Sequence, residues 1–263
     1  MPFIESTDGV RLNIRIEGNE SGPTVLLAHS VGCDLSLWDA QVPAIADSYH
    51  VVRYDSRGHG RSDAPPGDYT IAQLGADAIG ILDAIGIQAA HICGLSLGGT
   101  LGQWLAMHAP NRVASLALCD TSARMSTVAG WQSRIDTALE KGMAAMVDLS
   151  MTRFFSDRVR TTSPETVERF RRRFITTPAH GYAGCCAVLR DCDFTADLDR
   201  IHAPTLVLGG LFDAPAPPAD STYLARGIRG ATLVLLDTGH LSAVEDAPAF
   251  NKALRDHLDR SDS

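Results

Sequence analysis

Three residues far apart in this sequence, Ser96, Asp213 and His240, have the types and placements that acyl transfer needs. Ser96 lies in Gly94-Leu95-Ser96-Leu97-Gly98, after the apolar run His91-Ile92-Cys93 and before a helix-like run over 101–107. A G-x-S-x-G turn between a strand and a helix is the setting of a nucleophile elbow. The serine there takes unusual backbone angles, and its neighbours two positions away must be tiny because helix and strand pass too close for a Cβ. The plainer alternative is a Gly-rich turn whose serine merely caps the helix. A serine hydroxyl is a weak nucleophile until a base removes its proton. The choice therefore rests on whether the chain supplies a base, an acid and donors for an oxyanion.

Reacting groups of a parallel sheet gather at the carboxyl ends of its strands. Leu206-Val207-Leu208 is followed by Gly209-Gly210-Leu211-Phe212-Asp213, and Leu233-Val234-Leu235-Leu236 by Asp237-Thr238-Gly239-His240. Serine, acid, histidine is the chain order of the elbow-bearing layout. His240 is expected to take the Ser96 proton and return it to the leaving group. Asp213 is expected to hold the imidazole tautomer and stabilise the imidazolium. Asp120, after Leu116-Ala117-Leu118, is a rival acid, whereas Asp237 is placed on the strand. The oxyanion hole calls on the backbone N–H of Leu97 and, from the loop His29-Ser30-Val31-Gly32, that of Val31. His29 reads as a packed support of that loop. His59, in Arg57-Gly58-His59-Gly60-Arg61-Ser62, reads as part of a tight hydrogen-bonded loop beside the site. With no H-E-x-x-H and no Walker motif, neither a metal nor a cofactor is expected.

The elements that must position these groups follow from hydrophobic patterning. Uninterrupted apolar runs at 24–28, 51–54, 89–93, 113–119, 205–208 and 232–236 predict parallel strands covered on both faces. Residues 10–17 alternate after Thr7-Asp8-Gly9, which predicts an antiparallel strand in a hairpin with the first residues. Thr70-Ile71-Ala72-Gln73 reads as a capping box opening a helix that ends near Gly86. Further helices are expected over 97–108, stopped by Pro110, and over 244–258. Strands alternating with helices predict an α/β architecture, a mostly parallel central sheet with helices on both faces. The alternation breaks over 121–200, where helices are expected at 131–141, 143–151, 163–174 and 181–190. Ser163-Pro164-Glu165 supplies a cap and a first-turn proline. These helices are expected to form a cap inserted between two strands, with 1–120 and 201–263 as core and the whole as one functional unit.

A chain of 263 residues, 45% hydrophobic, can bury one large core or two small ones. No apolar run approaches the roughly 18 residues of a membrane span. Met1-Pro2-Phe3-Ile4-Glu5 carries no basic-then-apolar leader. The six cysteines, at 33, 93, 119, 185, 186 and 192, form no C-x-x-C pair, so a reduced, cytoplasmic protein is expected. A net charge of −8 argues against nucleic acid as a partner. The charge is uneven: 124–190 holds ten Arg, one Lys and six Asp or Glu, a net +5, which leaves −13 elsewhere.

With elbow, acid and histidine in place, the chain resembles the α/β-hydrolase superfamily over essentially its full length. Within it, the chain resembles the 3-oxoadipate enol-lactonases of bacterial aromatic catabolism. The likeness rests on 29–38 (HSVGCDLSLW), 53–62 (RYDSRGHGRS), 93–99 (CGLSLGG) and 118–124 (LCDTSAR), and on Gly239-His240 with Glu245-Asp246-Ala247-Pro248-Ala249-Phe250. Ser30 stands where many members have Gly, and 212–218 is unusually Pro-rich around the acid. The resemblance implies a serine hydrolase that opens a carboxylate-bearing enol-lactone through an acyl-enzyme on Ser96, without a cofactor. Its substrate would be a small anionic molecule. Arg134 near Trp131, and Arg153 beside Phe154, are then candidates to bind the carboxylate, since guanidinium suits bidentate carboxylate recognition. Arg171, Arg172 and Arg173 are expected at the surface, because three neighbours on a helix cannot all point inward. The same parts would also suit a small-ester carboxylesterase, a C–C bond hydrolase or a perhydrolase. A ligand receptor with little turnover is a reading from another class.

Overall fold

The computed structural model describes residues 3–125 and 127–262; Met1 and Pro2, part of the leader reading, and Ser126 and Ser263 lie outside them. The strands are β1 (Phe3–Glu5), β2 (Arg11–Gly18), β3 (Thr24–Ala28), β4 (His50–Tyr54), β5 (Ala90–Leu95), β6 (Val113–Cys119), β7 (Thr205–Gly210) and β8 (Thr232–Leu236). They form one sheet in the order β1-β2-β4-β3-β5-β6-β7-β8. β1 pairs antiparallel with β2 and β2 antiparallel with β4; every other pairing is parallel. Strands β3, β4, β5 and β7 are buried at every residue, as continuous apolar runs demand. β8 departs from that expectation, with Leu233 and Leu235 exposed. It is the sheet's edge, paired among the described residues with β7 alone, and these two side chains are only partly covered.

The helices, in chain order, are α1 (Val42–Ile45), α2 (Ile71–Ala84), α3 (Leu97–His108), α4 (Val128–Lys141), α5 (Val147–Phe154), α6 (Asp157–Thr162), α7 (Pro164–Thr176), α8 (Ala179–Asp191), α9 (Pro218–Gly227), α10 (Ser242–Glu245) and α11 (Ala247–Ser261). Thr70 opens α2 with the expected reciprocal box: its hydroxyl accepts from Gln73 N–H and the Gln73 side chain accepts from Thr70 N–H. The single helix expected over 244–258 is split. Asp246 closes α10 and caps α11, accepting from Ala249 N–H at 3.1 Å, and Pro248 in the first turn has no N–H to continue the preceding one.

The α4–α8 helices all lie between β6 and β7, and α6 was not anticipated. Ser163 does not cap α7 with its side chain. It also closes α6, donating its N–H to Val159 O at 2.9 Å, and this double duty fixes its backbone away from capping geometry. The inserted helices are moored to the core by backbone contact. A Cβ on Gly181 of α8 would lie 2.2 Å from Gly58 O, so only glycine lets the two chains cross there. Tyr69 N–H adds a bond to Gly184 O. Among the described residues, no helix is long and apolar enough to cross a membrane.

Candidate active site

Ser96 joins β5 to α3 at φ 58° and ψ −109°, a backbone region that costs a side-chain-bearing residue about 1–3 kcal/mol. Hydrogen bonds hold it there: its N–H donates to Cys119 O at 2.9 Å, and its carbonyl accepts from Thr100 N–H and from Thr121 Oγ1, each at 2.9 Å. Its side chain makes no capping bond to α3, which removes the plainer reading of this turn. The flanking glycines are required. A Cβ on Gly94 would lie 2.0 Å from Gly98 O, and one on Gly98 would lie 2.1 Å from Ala28 O.

His240 and Asp213 are brought together from the ends of neighbouring strands. His240 Nδ1 lies 3.0 and 2.9 Å from the two Asp213 carboxylate oxygens, so it carries the proton and leaves Nε2 free to accept one. Asp213 Oδ1 also accepts from Ala216 N–H at 2.8 Å. The two loops are stitched by Leu211 N–H to Leu236 O and Phe212 N–H to Thr238 O. Ser96, Asp213 and His240 are each at most 3% exposed. The Phe154 ring, at the end of α5, stacks near His240 with centroids 6.2 Å apart.

The rival acid has another task. Asp120, at φ 46°, accepts through Oδ2 from the N–H and hydroxyl of Ser242, bracing the segment just after His240. Burial, and then the neighbouring charge of Asp213, hold its pKa well above the usual carboxylate range. Asp237 lies one residue beyond β8 rather than on it, exposed, with its carbonyl accepting from Arg158.

Val31 and Leu97 are both buried, and among the described residues neither N–H is bonded to a backbone carbonyl. The two histidines nearby shape this loop. His29 Nε2 accepts from Ser56 N–H at 3.0 Å while its Nδ1 bonds Ser30 O at 2.7 Å. His59 Nε2 accepts from Gly32 N–H at 2.8 Å. Burial, followed by repulsion from His29, lowers the His59 pKa to about 3, so this acceptor stays neutral. Its grip on Gly32 was not legible in the sequence.

The inserted helices bring arginines to the same side. Arg134 Nε donates to Tyr182 Oη at 2.9 Å and Nη2 to Ser150 Oγ at 3.1 Å, with the guanidinium 5.6 Å from the Trp131 ring. The Trp131 indole donates to Met125 O, which fixes the ring as a platform. Burial, and then the like charge of Arg134, push the Arg153 pKa down; Asp213 acts on it in the opposite sense. Among the described residues, neither Arg134 nor Arg153 has a carboxylate within ion-pair distance. Arg171 instead pairs with Asp148 at 2.6 Å, Arg172 with Glu168 and Arg173 with Asp34. Tyr182 and Ser150, which orient Arg134, carried no sequence signal: both sit in runs that read only as helix. All six cysteines are free.

Residues 23–247 match the family model described as alpha/beta hydrolase fold. The chain is 38% identical to 3-oxoadipate enol-lactonase 2 of Acinetobacter baylyi, over 93% of this chain and 92% of that protein. It is 33% identical to a putative carbamate hydrolase, RutD, of Variovorax paradoxus, over 95% and 96% of the two chains. The crystal structure of the enol-lactonase from Burkholderia xenovorans LB400 superposes with a TM-score of 0.96 at 38% identity, covering 98% of this chain and 99% of that one.

Proposed function

The chain belongs to the alpha/beta hydrolase fold family and is a carboxylic ester hydrolase, and from that premise we propose that it opens a small carboxylate-bearing lactone, by preference an enol-lactone of the 3-oxoadipate type. In this reading Ser96 Oγ attacks the lactone carbonyl as His240 Nε2 takes its proton. The oxyanion is met by the N–H groups of Val31 and Leu97. The ring C–O bond breaks, the enol oxygen takes the proton back from His240, and the ring-opened acyl group stays on Ser96. Water, deprotonated by His240, then releases the acid and restores the serine. Asp213 holds His240 in the tautomer that both steps need. An enolate leaves readily, so these side chains suffice without a cofactor. Residues 121–200 act as a cap that contacts the rest of the substrate.

The observation that carries the anionic preference is the pair Arg134 and Arg153, both partly buried, with no acid within ion-pair distance of either among the described residues. A desolvated guanidinium lacking a counter-charge is costly, and a substrate carboxylate would supply one. The name of the carbamate relative offers a second substrate class. A carbamate ester without a free carboxylate would leave both arginines unpaired, so a substrate bearing an acid group is favoured. The test is to compare kcat/KM for the enol-lactone and a neutral lactone of like size, in wild type and Arg134→Ala. A wild-type preference for the acid that shrinks in the variant is expected; equal rates on both lactones in wild type would defeat the proposal.

A further inference from the structure

Glu245 belongs to the C-terminal sequence block singled out above, yet the reaction just described gives it no task. Its side chain is fully buried, and both carboxylate oxygens are used on a single residue of the inserted helices. Oε1 accepts from Ser156 N–H at 2.6 Å and Oε2 from Ser156 Oγ at 2.7 Å. Close by, Leu241 N–H donates to Phe154 O at 3.0 Å. Arg158 Nη2 reaches Asp237 O at 3.0 Å and stands 4.0 Å from Glu245 Oε2. Gly239 makes the approach possible, since a Cβ there would lie 2.6 Å from Ser156 N and 2.8 Å from Glu245 Oε1.

The segment from Phe154 to Ser156 is thus a wall. On its inner side Phe154 faces His240. Phe155 and Ser156 also line a cleft of about 380 Å³ shared with Phe212 and Ala214, the neighbours of Asp213. His240 has other restraints: the Asp213 carboxylate holds its ring, and Asp120 braces Ser242. The wall's bidentate anchor is Glu245. We propose that Glu245 is a positioning residue that fixes this wall, and with it Phe154 and Arg153, in register over the reacting serine. The inference rests on the hydrolase reading above only for its kinetic consequence. The effect expected of losing Glu245 therefore falls on groups that the cap recognises, with little on transfer of a small acyl group.

The test compares wild type, Glu245→Ala, Glu245→Gln and Glu245→Asp as full chains of verified fold. Amide hydrogen exchange over 153–158 should quicken about tenfold or more in Glu245→Ala, while the peptide containing Ser96 keeps its wild-type protection. Glu245→Gln, which retains an acceptor for Ser156 N–H, should restore most of that protection. Acylation by p-nitrophenyl acetate should change less than about threefold, and KM for a carboxylate-bearing p-nitrophenyl ester should rise about tenfold with kcat little changed. Unchanged exchange over 153–158 in Glu245→Ala would overturn the proposal. So would equal acceleration at the Ser96 peptide, or equal loss on both esters, each of which marks general destabilisation. If Glu245→Ala does not fold, Glu245→Asp, one methylene too short to hold both Ser156 groups, decides: partial loosening confined to 153–158 supports the wall, and none refutes it. A wild type that ignores the carboxylate would count against the anionic substrate alone, and the exchange comparison would still judge Glu245.

Discussion

At the scale of single residues, the distances set how much each side chain should matter. Asp213→Asn keeps the shape but offers His240 Nδ1 a poorer partner, so kcat should fall about 10⁴-fold with KM little changed. Near-wild-type turnover in that variant would shift the acid's role to Asp120. If Arg134 binds the substrate carboxylate as proposed, Arg134→Ala should raise KM for a carboxylate-bearing lactone roughly ten- to hundredfold and leave a neutral ester nearly unaffected. His59 gives a stability signature. Its pKa is depressed in the fold to about 3, so its contribution is complete above the ordinary value of 6.5 and is lost as pH falls from there towards 3. Denaturant titrations between pH 7 and 4 should show wild type losing stability as the pH drops. His59→Gln, which can still accept from Gly32 N–H, should flatten that slope by about one proton; an unchanged slope would contradict a neutral His59. The placement of Ser96, Asp213 and His240 beyond the ends of β5, β7 and β8 was legible because each follows an apolar run. The partners of His59 and Tyr182 were not, because a backbone N–H and another side chain are encoded by no spacing rule; the sequence showed His59 only as part of a tight hydrogen-bonded loop.

At the scale of elements, the sheet was legible and its margins were not. Runs such as 205–208, within β7, read directly as buried parallel strands, since both faces demand apolar side chains. β8 has the same composition but half the cover, because composition reports a strand's preference and not its place at the edge. Among the inserted helices, α6 escaped notice because Asp157–Thr162 is short and polar, and Ser163 was assigned one role where it has two. The elbow itself gives the sharpest element-level prediction. Gly98→Ala forces a Cβ to within 2.1 Å of Ala28 O, which has no flexible side-chain end to give way. Overpacking of this kind should cost about 1–3 kcal/mol, seen as a lowered Tm, and should displace the Leu97 N–H enough to reduce acylation at least about 10²-fold. Ordinary Tm and activity in Gly98→Ala would mean that the turn tolerates what its packing forbids.

At the scale of the whole molecule, charge is uneven along the chain: +5 over 124–190 against −13 elsewhere. Much of the insertion's positive charge is paired, as in Arg124 with Asp193, Arg160 with Asp157 and Arg190 with Asp68. Among the described residues, Arg134 and Arg153 are partly buried and have no such carboxylate partner. An anionic substrate should therefore be drawn towards them, with kcat/KM falling as salt rises from about 0.01 to 0.15 M while a neutral ester stays flat, because the Debye length shrinks from about 30 to 8 Å. The most direct measurement is to mix the enzyme with the enol-lactone, quench in acid within one turnover and weigh the protein. Ring opening by a serine keeps every atom of the lactone, so the Ser96 peptide should gain the full substrate mass, and Ser96→Ala should gain nothing and turn over about 10⁴-fold or more slowly. Rapid hydrolysis by Ser96→Ala, with no adduct on the wild-type peptide, would contradict nucleophilic catalysis by Ser96.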